Sequence, residues 1–308
     1  MSGGMNKKFM ADPVQFMQKY AVAPADDVQN DIGDRKVNMP NALGNVDYVF
    51  SRMPQAKQVA WLNFSKRGRG SGYSASFVPA AEGGVTIDGS FDERPGKVRS
   101  YFLPWTAGGG IIALAIPPIK RGGADNSPKY FFTATITGCS IFVKGTPRAP
   151  VVFHAGGQTG QTDPVQAAAF WRNLMTTYSG AAPVTGEVNK TDYVAQQGRG
   201  TAQSPATAHS QAFEAWLKNT SSTKDLDISW TFPWGCVMGI RDDNGDWAFY
   251  LQENVTIFYS KFTKAHWYST KKTVKGQVTG AARPMLFREF FPGGAPIANF
   301  APSMPRKL

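Results

Sequence analysis

Tyr130-Phe-Phe-Thr-Ala-Thr-Ile-Thr-Gly-Cys139 runs into Ser140-Ile-Phe-Val-Lys-Gly-Thr-Pro-Arg-Ala149 and then into Pro150-Val-Val-Phe-His154. The first ten residues are rich in β-branched and aromatic types and end at Gly138, where a strand tolerates close approach of other backbone. Ser140 to Val143 continues as a strand. Lys144 to Ala149 supplies turn residues, and Pro150 to His154 returns as a second strand. With a turn centred between Thr146 and Pro147, Val143 faces Pro150 and Cys139 faces His154. Directly opposed Cβ atoms lie about 4.5–5.5 Å apart, which sets an imidazole beside a thiol. Thr133, six residues before Cys139, shares its face on an unbroken strand and is placed to steer the histidine.

Outward from this hairpin the same texture continues. Val59–Phe64, Val85–Ile87, Val98–Leu103 and Ile111–Ile116 read as strands, and Tyr73–Val78 pairs back on Val59–Phe64 across the Gly-rich turn at Arg67–Gly72. Ile228–Phe232, Gly235–Arg241, Trp247–Gln252 and Val255–Phe262 follow as further strands. Asn244-Gly245 between two of them is a hairpin signal. The Asp242, Asn244, Asp246 and Glu253 spacing mimics a calcium loop but lacks its glycine. Asp12-Pro13 caps a short helix through Tyr20, Asp163-Pro164 starts another, and Ser210–Lys218 suits a third. The long polar stretch 178–208 reads as surface loop. Runs of strands with few helices predict an α+β fold of packed mixed or antiparallel sheets, sandwich-like and flanked by a few helices. The expected organisation is an N-terminal extension over 1–54, a catalytic domain over 55–270 and an irregular tail over 271–308.

Composition narrows the function classes. Hydrophobic residues reach 42% against 18% charged in a chain of 308, enough for a real core. The net charge is +11, but the basic residues are scattered without a recognition helix or an aromatic RNA-binding signature. No obligatory nucleic-acid partner is therefore expected. The two cysteines, Cys139 and Cys236, are expected as free thiols, and with His154, His209 and His266 they lack metal-ligand spacing, so no metal or cofactor is expected. His209 and His266 have no recognisable partner. Residues 1–20 lack a continuous apolar signal core, and the aliphatic run Ile111–Ile116 is too short to span a bilayer. The expected protein is a monomer with no membrane span.

Nucleophilic amide chemistry needs a thiolate, a base and donors for an oxyanion. Cys139 and His154 supply the first two, and backbone amides at Gly138 and Ser140 are candidates for the third. Spacing alone favours a structural pair over a catalytic one, because Cys is among the most buried residue types. A papain-like arrangement is disfavoured by the short distance from Cys to His.

Around these residues the chain resembles the Burkholderia lethal factor-like toxins and, more distantly, the catalytic domain of the cytotoxic necrotizing factors. Ile136-Thr-Gly-Cys139 stands where that family carries Leu-Ser-Gly-Cys, with His154 downstream. Gly84-Val-Thr-Ile-Asp88, Leu103-Pro-Trp105, Phe131-Phe-Thr133 and Phe170-Trp-Arg172 are similar to family segments in the same order. The resemblance covers about 58–176 and extends more vaguely to about 262. It implies a bacterial effector, secreted without a classical signal peptide. Such an effector deamidates a glutamine of a protein in the target-cell cytosol, with Cys139 as nucleophile, His154 as base and Thr133 as orienting element. Trp105 is a candidate substrate contact, though core packing is the readier role for it. The alternatives are a transglutaminase, or an inactive basic protein-binding module on the same scaffold.

Overall fold

The computed structural model describes residues 3–24, 37–39, 48–53, 58–66, 83–105, 110–119, 126–156, 164–179, 182–193, 205–220, 226–264, 272–275 and 278–293. The Gly-rich turn and its partner strand Tyr73–Val78 lie outside them. The helices are α1 Gly3–Ala11, α2 Pro13–Lys19, α3 Pro164–Ser179 and α4 Pro205–Thr220, with a 3-10 turn at Lys190–Asp192. The strands are β1 Ala21–Pro24, β2 Val37–Met39, β3 Tyr48–Arg52, β4 Val59–Lys66, β5 Gly84–Ser90, β6 Val98–Leu103, β7 Gly110–Ala115 and β8 Tyr130–Thr133. They continue as β9 Ser140–Thr146, β10 Ala149–Ala155, β11 Val184–Val188, β12 Leu226–Arg241, β13 Trp247–Lys264, β14 Lys272–Lys275 and β15 Thr279–Phe291.

Among the described residues these strands make two mixed sheets. The larger runs β1-β5-β4-β6-β8-β12-β13-β14, with β15 also on β13; the smaller runs β11-β9-β10-β7-β3-β2. The fold is α+β with packed sheets. Side-chain alternation explains the layers. Tyr101, Leu103, Phe131, Val237, Phe249 and Leu251 of the large sheet meet Ile112, Leu114, Ile141, Val143 and Val152 of the small one in a central core. Phe102, Phe132 and Met238, one residue out of phase, point the other way onto Phe9, Phe16 and Met17 of the N-terminal helices. On the far side of the small sheet, Phe142, Phe153 and Ile111 pack on Trp171 and Met175 of α3.

Three sequence expectations change here. The described residues of 1–54 pack into the fold. Phe9 is fully buried, stacked on Phe64 at 4.4 Å and edge-on to Tyr130 at 4.9 Å. β1 pairs with β5 in parallel, and β3 with β7. The buried carboxamide of Gln252 accepts from Val22 N (3.0 Å) and donates to the carbonyls of Tyr20 (2.8 Å) and Met17. Pro13 opens α2 as read, behind Asp12, whose carboxylate caps Gln15 N at 2.9 Å.

Residues 271–308 are not an irregular tail throughout. β15 lies antiparallel along β13 from Phe249 to Tyr259, and Pro284 sits where the pairing bulges. Residues 178–208 are not one loop, since β11 pairs with β9 inside that stretch and α4 begins at Pro205. β12 also runs unbroken through Pro233. β8 pairs with it only at Met238–Ile240, so at Pro233 it has β13 alone beside it among the described strands, the edge condition under which proline is tolerated. The Asn244-Gly245 hairpin forms as read: Gly245 takes φ +93°, and Asp242 accepts from Asp246 N at 2.8 Å, which employs the acidic residues in the turn. No described helix is long and apolar enough to cross a membrane.

A Phe9→Ala variant distinguishes core from appendage. Loss of a fully buried phenylalanine is expected to cost about 3–5 kcal/mol in urea unfolding. A dispensable extension would leave the midpoint unchanged.

Candidate active site

Cys139 stands where the chain changes sheets. β8 ends at Thr133 inside the large sheet, held by β6 in parallel and β12 antiparallel. Ala134 N then reaches Leu103 O (2.9 Å), and Ile136 exchanges two 2.8 Å hydrogen bonds with Gly235 of β12. The chain bends at Thr137–Gly138, passes Cys139 and enters the small sheet at Ser140. The run from Tyr130 to Cys139 is therefore not one strand, and Thr133 does not share a face with Cys139 by simple alternation. Thr133 is buried, and its hydroxyl accepts from Val237 N at 3.3 Å, so it ties β8 to β12. The orienting role expected of its hydroxyl is not the role it has here.

The β9–β10 register also differs from the expectation. Thr146 pairs with Ala149, so the turn residues are Pro147 and Arg148 and the centre lies one residue later. Proline is favoured at the second position of such a turn because its φ is already set. Val143 therefore faces Val152, and His154 faces Ile141 on one side and Ile112 on the other. A two-residue slip preserves the face. Cys139 packs against the same central cluster as Ile141 and Val143, and by extension of the register lies opposite Gly156. His154 becomes its diagonal neighbour, at a Cα spacing of about 7–8 Å for such pairs.

The two side chains live in unlike surroundings. Cys139 is half-buried, and Gly138 before it has open space where a Cβ would stand. The close backbone contact that the sequence suggested at this glycine is not there. His154 is only 1% exposed, with fully buried isoleucines on either side. Burial pushes its pKa down to about 3, against the carbonyls of Pro104 and Leu103, which favour the charged ring. Those carbonyls lie beside the ring without closing hydrogen-bond geometry, and neither ring nitrogen has a hydrogen-bond partner among the described residues. The imidazole is consequently neutral at physiological pH and holds a vacant acceptor.

The amides divide as follows. Gly156 N donates to Gly110 O, and Ile116 N donates to Pro150 O, so even-numbered residues of β10 turn toward β7. Alternation then turns Ala155 toward Ser140, which places the Ser140 amide in the β9–β10 ladder. Ser140 is thereby withdrawn as an oxyanion donor, and the amides of Gly138 and Cys139 are the candidates that stay. Trp105 is half-buried against the cluster on the opposite face of the large sheet, which serves packing in place of the substrate contact considered for it. Cys139 and Cys236 are both free thiols; Cys236 is fully buried, and burial raises its pKa far above the usual thiol range.

Sequence reasoning missed Tyr193. Its side chain is fully buried in the central core and its hydroxyl donates to Cys139 O at 2.6 Å. Burial is the largest cause that holds that hydroxyl protonated well above the ordinary phenol range, and the nearby Asp192 carboxylate adds to it. The available signal was Asn189-Lys-Thr-Asp192, a capping-box spacing inside a stretch otherwise read as loop. His209, expected to lack a partner, has one. Its Nδ1 lies 3.0 and 2.9 Å from the two carboxylate oxygens of the fully buried Glu253, and that hydrogen bond raises the histidine's pKa.

No family model and no curated protein matches this chain. The case for the site therefore rests on its own geometry and on the resemblance of its residues.

The buried imidazole has a measurable consequence. Folded, His154 titrates near 3; unfolded, near the ordinary value of about 6.5. Between these values the unfolded chain binds a proton that the folded chain refuses, so this residue's contribution to stability is lost as pH falls. Between pH 7 and pH 5 the wild type is expected to lose about 2 kcal/mol relative to His154→Leu, read from urea unfolding at both pH values. An equal change in both proteins would show that His154 titrates normally in the fold.

Proposed function

We propose that the protein is a glutamine deamidase acting on a protein substrate through a Cys139 thioester. The observation that supports it most is a half-buried cysteine at a sheet crossover, packed on the central core, with a buried imidazole on the neighbouring strand. Cys139 Sγ attacks the carboxamide carbon of a glutamine side chain as the thiol proton passes to His154. The developing oxyanion is received by the backbone amides of Gly138 and Cys139, each worth roughly 3–4 kcal/mol in comparable sites. The C–N bond breaks, and ammonia leaves with the proton from His154. Water then gives a proton to His154 and its oxygen to the thioester; the C–S bond breaks, the proton returns to sulfur, and glutamate is the product.

The diagonal register requires the imidazole or the Gly138–Cys139 bend to close a short gap when substrate binds. Active-site hydrogen bonds are often long before substrate is present. The carbonyls of Leu103 and Pro104, which lie beside the ring, are the groups placed to orient it once such a bond closes. An amine in place of water would give transglutamination from the same thioester. In keeping with the resemblance, the protein would be a bacterial effector that leaves its cell without a classical signal and acts on a protein in the target-cell cytosol.

A second reading has one observation in its favour. Both ring nitrogens of His154 are buried without a described partner, as in a scaffold that retains the pair and uses its basic surface for binding alone.

Incubation with target-cell lysate separates the two. The wild type is expected to release ammonia and to convert one glutamine of a substrate protein to glutamate, seen by mass spectrometry. Cys139→Ser and His154→Ala are expected to stay folded and lose both signals. Full conversion in either variant would sink the catalytic assignment, and no conversion by the wild type would leave the binding module.

A further inference from the structure

The bend that carries Cys139 is short, half-exposed and made of Thr137, Gly138 and Cys139. Such a segment does not hold a thiol in one place by itself. Its upstream end is fixed by the reciprocal Ile136–Gly235 bonds and its downstream end by the Ser140–Ala155 pairing. Between these points Tyr193 holds its backbone, through the 2.6 Å bond to Cys139 O. The tyrosine is itself immobilised. Its ring lies over Gly235, so close that a Cβ there would meet ring carbon at 3.3 Å and the Ile136 side chain at 2.8 Å. The preceding turn is closed by Asn189 N on the Asp192 carboxylate (2.7 Å), and Arg288 of β15 holds the same carboxylate at 2.9 Å.

We propose that Tyr193 is a positioning residue of the active site: its buried hydroxyl fixes the peptide plane of Cys139 and thereby the direction of Sγ and of the adjoining amides. This rests on Cys139 being the nucleophile. The hydroxyl touches no reacting atom. It acts on the carbonyl of the nucleophile's own residue, and rotation of that peptide would carry the thiol away from His154. A donor on a carbonyl also polarises the peptide group it belongs to. The tyrosine reaches the bend from the segment after β11, and Arg288 of β15 anchors it. The last described strand therefore helps to place a cysteine half the chain away.

The test is the rate of iodoacetamide alkylation at Cys139 as a function of pH, resolved from Cys236 by peptide mapping. Wild type, His154→Ala and Tyr193→Phe are compared. Cys236 is fully buried and reports any general opening. Slower alkylation of Cys139 in His154→Ala is the result expected from the nucleophile reading; equal rates there overturn that reading, and the proposal with it. Tyr193→Phe keeps the ring and removes the hydroxyl. It is expected to slow Cys139 roughly tenfold, the size of one hydrogen bond lost, to displace its pH profile, and to leave Cys236 unchanged. An unchanged Cys139 rate and profile, with His154→Ala still slow, overturns the positioning role alone. Faster labelling of both cysteines also overturns it, because Tyr193 would then be packing for the whole core. Should Tyr193→Phe not fold, Asp192→Asn loosens the strap while keeping the tyrosine, and the same outcomes decide.

Discussion

Two hydrogen bonds of 2.8 Å between Ile136 and Gly235 hold the point at which the chain passes from one sheet to the other. Everything that bears on the thiol follows from that crossing. Gly235 has no side chain because Ile136 and Tyr193 occupy the space a Cβ would fill. Because the large sheet keeps its grip as far as Ile136, the bend is confined to Thr137–Cys139. Because the small sheet begins at Ser140, Cys139 is placed at a strand end, half-buried against the core.

The charges around this crossing are arranged in layers of decreasing access. Cys139 is half-exposed, Tyr193 is sealed, and His154 is sealed among isoleucines. Desolvation is the largest influence on both of the buried groups, and it acts on each by suppressing the charged form: it keeps the tyrosine a donor and the histidine a neutral acceptor. Neither state needs a neighbouring ion. Farther out, Arg288–Asp192 and His209–Glu253 supply the ion-paired contacts, on either side of the 3-10 turn and on the long strand β13. Arg172 and Glu187 add a two-pronged pair between α3 and β11.

Local rules were legible wherever a few adjacent residues carried the whole instruction. Asp12-Pro13 caps α2, Asn244-Gly245 turns β12 into β13, and Phe170-Trp171 packs α3 on its sheet. They failed where the deciding partner was remote. Pro233 reads as a break between two strands, but it stands where β13 alone pairs with β12 among the described strands. Val184–Val188 reads as loop, and becomes a strand because β9 offers it an edge. The N-terminal residues read as an arm, and Gln252, more than two hundred residues away, holds Met17–Val22 against the sheet.

The sequence by itself determined the class of fold, through the alternation of short apolar runs, and it determined that one cysteine and one histidine would share a face. A strand's period of two ensures that, and a two-residue slip leaves it intact. Only the tertiary structure decided how far apart they stand, which carbonyls meet the imidazole, and which side chain steadies the thiol. Those depend on where Pro147 sets the turn, on the change of sheet after Ile136, and on Tyr193 arriving from a segment with little local pattern. Contacts between distant segments are fixed by packing and burial, and no short window of sequence carries them.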